Sequence, residues 1–113
     1  MALPLNVFKT LTKVASTSPV GIYTAPIGYT GVVLLAQVAN ISSSTYNVSF
    51  SHRRSTLGIA VTTEIVKDFS IPGNDSVSLL QGKLTLEAGD TLLISSNNSS
   101  NIKFIGSILE TLN

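Results

Sequence analysis

His52 is the only histidine among 113 residues, and it stands directly before Arg53 and Arg54. An imidazole serves as a general acid or base when a carboxylate orients it and its pKa lies near the working pH. Two adjacent guanidinium groups favour the neutral ring, and the neighbouring sequence offers it no carboxylate. Neither a triad nor an acid–base pair is visible around it. Zinc asks for a set of His, Cys or carboxylate ligands, which a chain with one histidine and no cysteine does not readily supply. The lack of cysteine also excludes disulfides and thiol chemistry.

The acids are Glu64, Asp68, Asp75, Glu87, Asp90 and Glu110. Glu64 and Asp68 share one side of an expected strand but lie too far apart along it to hold one substrate. They are expected to face solvent or to pair with Lys67 and Lys83. Asp75 and Asp90 each sit in a Gly-containing turn, where an Asp side chain hydrogen-bonds the local backbone. Asn74 and Asp75 alone fall short of the ordered oxygen shell that calcium needs. A Gly-rich phosphate loop with its lysine is absent. The sequence therefore predicts no enzyme, no cofactor and no metal.

Binding remains. His52-Arg53-Arg54 concentrates positive charge, which could neutralise phosphates or pair bidentately with carboxylates of a neighbouring subunit. A solvated loop end is the alternative. Charged residues make up 12% of the chain and the net charge is +1, so no broad basic field exists for nucleic acid or anionic lipid. No basic stripe interleaved with aromatics accompanies the arginines. Sugar sites stack on aromatic platforms; there is no tryptophan, and of Tyr23, Tyr29 and Tyr46 only Tyr29, at a turn, is a candidate.

The elements that would carry these residues read as short strands. The most apolar stretch is Val32 to Asn40, preceded by Ala25-Pro26-Ile27-Gly28. Pro26 suits the first central position of a turn, and Gly28 can take a positive φ beside it. Alternation sets Val32, Leu34, Ala36 and Val38 on one side and Val33, Leu35, Gln37 and Ala39 on the other. Both sides are nearly apolar, which predicts a central strand covered twice or a strand at an interface. Val7–Val14, Val20–Ala25 and Tyr46–Phe50 read as further strands, and His52-Arg53-Arg54 as a loop or strand end. Ile59 to Ile71 alternates with period two, and Pro72-Gly73-Asn74-Asp75 is a turn. Asn74 to Gln81 could form one short helical turn. Leu84 and Leu86 lead through Ala88-Gly89-Asp90 to a returning strand with Leu92 and Ile94. Ile102 to Leu112 is the last strand.

About eight strands with regular turn signals predict one all-β domain, an antiparallel β-sandwich or jelly-roll-like fold. A chain of this size should bury roughly two-thirds of its unfolded surface. Residues 1–6 hold Pro4 and read as an extended arm, leaving residues 7–113 for the sandwich. No apolar run approaches the roughly 20 residues of a membrane span, and Met1-Ala2-Leu3-Pro4 lacks the start of a secretory signal. Synthesis in a cytoplasm is the expectation.

Tyr23-Thr24-Ala25-Pro26-x-Gly28, the strand ending Gln37-Val38-Ala39-Asn40, Leu86-Glu87-Ala88-Gly89-Asp90 and the ending Ser107 to Asn113 carry a resemblance. Over nearly its whole length the chain resembles the small virion structural proteins of tailed bacteriophages, in style those of contractile-tailed phages of cyanobacteria. The resemblance implies a particle component without catalytic residues, located in the virion and made in the bacterial host. Capsid decoration on the lattice of the major capsid protein is the first expectation. A tail, neck or baseplate component is the second, and a carbohydrate-binding module the third. Self-association, as a homotrimer by analogy with threefold lattice positions, is expected with the capsid reading. Leu3, Leu5, Val7, Arg53, Arg54, Ile108 and Leu112 are the expected partner contacts.

Overall fold

The computed structural model describes residues 6–54 and 60–113. Leu3 and Leu5 lie outside them. Nine strands run through the described residues: β1 Asn6–Val14, β2 Val20–Thr24, β3 Tyr29–Asn40, β4 Tyr46–Arg54 and β5 Val61–Ile71, then β6 Ser76–Ser78, β7 Leu84–Leu86, β8 Thr91–Ser96 and β9 Ile102–Leu112. The described residues contain no helix. β1 begins at Asn6, so the sheet takes in one residue assigned to the arm. Ser76–Ser78, where a helical turn was expected, is a short strand instead, because it finds β3 as a hydrogen-bonding neighbour.

All pairings are antiparallel and all follow one scheme. β4 pairs β5, β3 pairs β6 and β7, β2 pairs β8, and β1 pairs β9. The chain is thus one long hairpin whose arms have rolled together, with further β3–β9 and β4–β8 pairings closing two sheets. One sheet runs β1-β9-β3-β6 with β7 also on β3; the other runs β2-β8-β4-β5. Counting β6 and β7 as one interrupted strand turns the nine into the eight of a jelly roll. The Leu86 to Thr91 connection therefore does not close a hairpin: β7 belongs to the five-stranded sheet and β8 to the four-stranded one.

The core lies between the sheets. Val33, Val38, Ile102 and Ile108 from one side meet Val48, Phe50, Leu92 and Ile94 from the other, all at most 1% exposed. Phe50 and Phe104 stack across the interface with ring centroids 5.8 Å apart. At roughly 25 cal/mol per Å² of apolar surface, each such large side chain contributes about 1.5–3 kcal/mol when fully buried.

β3 departs from simple alternation. The pairing of β3 with β9 slips between Val33 and Leu35, so Leu34 is an extra residue. Before the bulge, odd-numbered Gly31 and Val33 face inward; after it, even-numbered Ala36, Val38 and Asn40 do. The expected parity is thus wrong for half the strand, since one inserted residue exchanges the two faces. Gly106 makes room for this. A Cβ there would lie 2.9 Å from the Leu35 carbonyl oxygen, too close for any larger residue without a shift.

The turn before β3 also differs in frame. The Tyr29 amide donates to the Pro26 carbonyl at 3.1 Å, so Ile27 and Gly28 are the central pair and Pro26 precedes them. Gly28 has φ 88°, the positive value required at the second central position. Asn40 ends β3 as a buried anchor: its amide nitrogen donates to the carbonyls of Ser44 (2.7 Å) and Ile71 (3.0 Å), and its oxygen accepts from the Ser42 amide.

Candidate interaction surface

Register and alternation fix what the five-stranded sheet shows to its surroundings. Cross-strand rows on its outer face read Asn6–Thr111–Thr30, Phe8–Leu109–Val32 and Thr10–Ser107–Leu35. Below them come Thr12–Ile105–Gln37 and Val14–Lys103–Ala39. β6 and β7 extend the face with Ser76, Ser78 and Thr85. Phe8 is 74% exposed, Ile105 45%, Leu35 40% and the bulged Leu34 37%, so the apolar centre is open to solvent. Among the described residues, Lys103 is the one charged strand residue on this face. A contiguous exposed apolar patch of this kind marks an interaction site more often than chance does.

Two ionic clusters sit at the margins of the sandwich. In the first, Glu110 of β9 is 4% exposed, although its parity neighbours Ile108, Gly106 and Phe104 are all core. Tyr23 of β2 donates its hydroxyl to Glu110 Oε2. Lys9 of β1 donates to the same oxygen at 3.2 Å and lies 3.1 Å from Oε1. Burial alone would raise the Glu110 carboxyl; the hydrogen bonds from Tyr23 and Lys9 and the ammonium charge outweigh it and hold the group below its ordinary value. The Tyr23 phenol is pushed well above its ordinary value by burial first, then by the hydrogen bond and charge of Glu110. The cluster ties β1 and β9 of one sheet to β2 of the other.

The second cluster centres on Asp90, which is fully buried. Its Oδ2 accepts from the Glu87 amide at 3.0 Å, the local backbone bond expected of a turn Asp. The same oxygen lies 2.9 Å from His52 Nε2 and 3.7 Å from Arg54, while Arg54 also bonds the Glu87 carboxylate. His52 thus has the carboxylate partner that the local sequence did not offer. The partner comes from 38 residues away, brought by the β4–β8 pairing. Among the described residues no serine or threonine hydroxyl bonds the imidazole, and Asp90 Oδ1 has no partner. The arrangement clamps β4 to the turn before β8. A nucleophile for hydrolytic chemistry is not part of it.

The expected contact residues scatter over this structure. Val7 on β1 and Leu112 on β9 are half-buried, and Arg53 is exposed on β4. Arg54 is exposed but engaged by Glu87 and Asp90. Ile108 is fully buried between the sheets and so is corrected from contact to core; its even parity on β9 faces it inward. Glu64 and Asp68 do not form an ion pair with Lys67 or Lys83; Asp68 bonds Ser49 of β4 through its amide at 2.9 Å. Asp75 accepts from the Ser76 amide as expected of a turn residue. No group of three or more His, Cys, Asp or Glu able to hold a metal occurs among the described residues. The open patch of Phe8, Leu34, Leu35 and Ile105 was not singled out residue by residue, although the near-absence of polar residues on both sides of the β3 segment predicted a strand covered twice or one at an interface.

No protein-family model matches the chain, and no curated protein matches it by sequence. Solved structures resemble the chain at low identity and low structural overlap. The CBM22-1 xylan-binding domain from Paenibacillus barcinonensis is 14% identical, with a TM-score of 0.47 over 91% of this chain and 71% of that one. A subunit of the disulfide-linked Bacillus endospore appendage pili is 17% identical, with a TM-score of 0.40 over 96% and 88%. A Podospora anserina GH26-CBM35 beta-(1,4)-mannanase is 17% identical, with a TM-score of 0.34 over 96% of this chain and 28% of that one. At these values the likeness concerns the all-β sandwich alone.

Proposed function

We propose that this chain is a non-enzymatic structural protein of a tailed-phage particle, a capsid decoration protein that binds and stabilises the shell. The observation that carries the reading is the outer face of the five-stranded sheet, apolar at its centre and bearing only Lys103 as a charged strand residue. Such a face gains free energy by being covered, and a symmetric particle holds many copies of the chain side by side, where a neighbouring copy or the shell can cover it. Repetition turns modest contacts into firm retention through effective concentration. The resemblance of the Tyr23–Gly28 and Leu86–Asp90 segments to small virion proteins points the same way. Jelly rolls serve in both capsid and lectin proteins, so the fold by itself does not choose.

The test is a mass-spectrometric inventory and an averaged density map of purified phage particles that carry this gene. The expected result is density for this chain on the shell lattice, with retention reduced when residues 1–6 are deleted. Density confined to tail, neck or baseplate would replace decoration with the second placement. Absence from purified particles would overturn the particle reading. Carbohydrate binding is then the remaining alternative, and saturable binding on a glycan array that is lost in Tyr29→Ala would establish it.

A further inference from the structure

We infer that the outer face of the five-stranded sheet is where copies of this chain meet, and that a second copy covers Phe8, Leu109, Leu35 and Ile105. The inference rests on the structural reading above and names the occupant of the face. Size supports it first. Three strands about nine residues long, with the three-residue β6 and β7 beside β3, give a face of about 530 Å² at ordinary strand spacing and rise. Two such faces bury about 1,050 Å² by this flat measure, just above the roughly 1,000 Å² that a specific interface should clear.

Charge supports a second copy in particular. Lys103 lies in the last row of the face, opposite the end that holds Asn6, Thr111 and Thr30. In place of the homotrimer expected from threefold lattice positions, a two-fold axis in the interface, crossing the strands at the Thr10–Ser107–Leu35 row, sets Leu35 against its twin and Leu109 over Ile105. It also sends the two lysines to opposite ends, about 27 Å apart by strand rise, well past the ~8–10 Å screening length. Each ammonium then faces the hydroxyls and amide of the Asn6 row. No like charges are brought together. The same operation on the four-stranded sheet would bury Arg53, Glu64 and Asp68.

The test measures mass in solution by light scattering and sedimentation equilibrium for the full chain and for Leu35→Lys with Ile105→Lys. The wild type is expected to self-associate at micromolar concentration. The double variant is expected to be monomeric, with an unchanged far-ultraviolet circular dichroism spectrum and at least ~tenfold weaker association. Should the double variant fail to fold, Ile105→Ser alone gives the same comparison with a smaller change. A monomeric wild type, or folded variants that associate as well as it does, would overturn the inference. Particle retention is read separately. A monomer that still binds particles sinks only this inference, whereas a self-associating chain missing from particles sinks only the particle reading.

Discussion

Each sheet of the sandwich turns one face onto a common core, so the contrast between the sheets lies on the outside. The five-stranded sheet shows Phe8, Leu109, Val32, Leu35 and Ile105 within a frame of threonine and serine. The four-stranded sheet shows Asn47, Ser49, Ser51 and Arg53 on β4, with Glu64 and Asp68 on β5 and Leu93 among hydroxyls on β8. Charge is distributed in the opposite sense. Strands of the five-stranded sheet direct Lys9 and Glu110 toward its inner side, where they pair with each other and with Tyr23. The difference teaches that low overall charge does not mean a uniformly neutral surface. One face is apolar at its centre while the other keeps the polar side chains of an ordinary hydrated surface.

The largest expected effect is on the inward-facing cluster that holds the five-stranded sheet to β2. Tyr23→Phe removes one donor from a nearly buried carboxylate, which costs about 1.5–3 kcal/mol in urea unfolding at neutral pH. The pH dependence has a definite sign. Glu110 has a lowered pKa in the folded chain, so its contribution is present above the ordinary carboxylate value and is lost as pH falls through the lowered one. Tyr23 has a raised pKa, so its contribution is present below the ordinary phenol value of about 10 and is lost as pH rises beyond it. The variant should therefore show a flatter stability profile in acid and lose the alkaline decline due to this phenol. A Tyr23→Phe protein with the wild-type profile at both ends would mean that the cluster is not formed in solution.

A somewhat smaller effect is expected at the bulge that decides which leucines face out. Gly106→Ala places a Cβ 2.9 Å from the Leu35 carbonyl and 2.8 Å from the Phe104 ring. The ring can turn aside, but the backbone carbonyl has less freedom, so an overpacking cost of about 1–3 kcal/mol is expected. If relief comes by removing the bulge, the residues before or after Leu34 exchange faces, and the exposed leucine patch changes with them. Unfolding midpoints and amide exchange along β3 would reveal either result. A fully wild-type variant would show that Gly106 does not set the outer face.

Much of this architecture is legible in the residues, and the rest fails for identifiable reasons. Period-two patterns at Tyr46–Phe50, Leu84–Leu86 and Ile102–Leu112 locate strands because one face of each is buried. Pro72-Gly73-Asn74-Asp75 is a turn with Asn74 at φ 60°. The Leu34 bulge was not legible, since an extra residue in an apolar run leaves composition unchanged while reversing parity. Period-two alternation carried along β9 from Ile102 places Glu110 inside, although the acid was not read as buried from sequence. His52 and Asp90 could not be joined by local reasoning. Their pairing depends on β4 lying beside β8, a property of the rolled hairpin and not of either segment.

The smallest expected effect lies on the opposite sheet, where lysine replaces a residue that is already among polar neighbours. Ser95 pairs Ser49 on the outer face of the four-stranded sheet, a hydroxyl-rich setting with half-buried side chains. Ser95→Lys adds a long chain whose ammonium can reach water while its methylenes lie along the sheet. A surface exchange of this kind is expected within about 0.5 kcal/mol of wild type in unfolding experiments. Its self-association should match the wild type, in contrast to the lysines introduced at Leu35 and Ile105. Because the same residue type is placed on both faces, a general effect of added positive charge would weaken association in both variants. A specific loss from the five-stranded sheet alone would assign it to the apolar surface that Leu35 and Ile105 share.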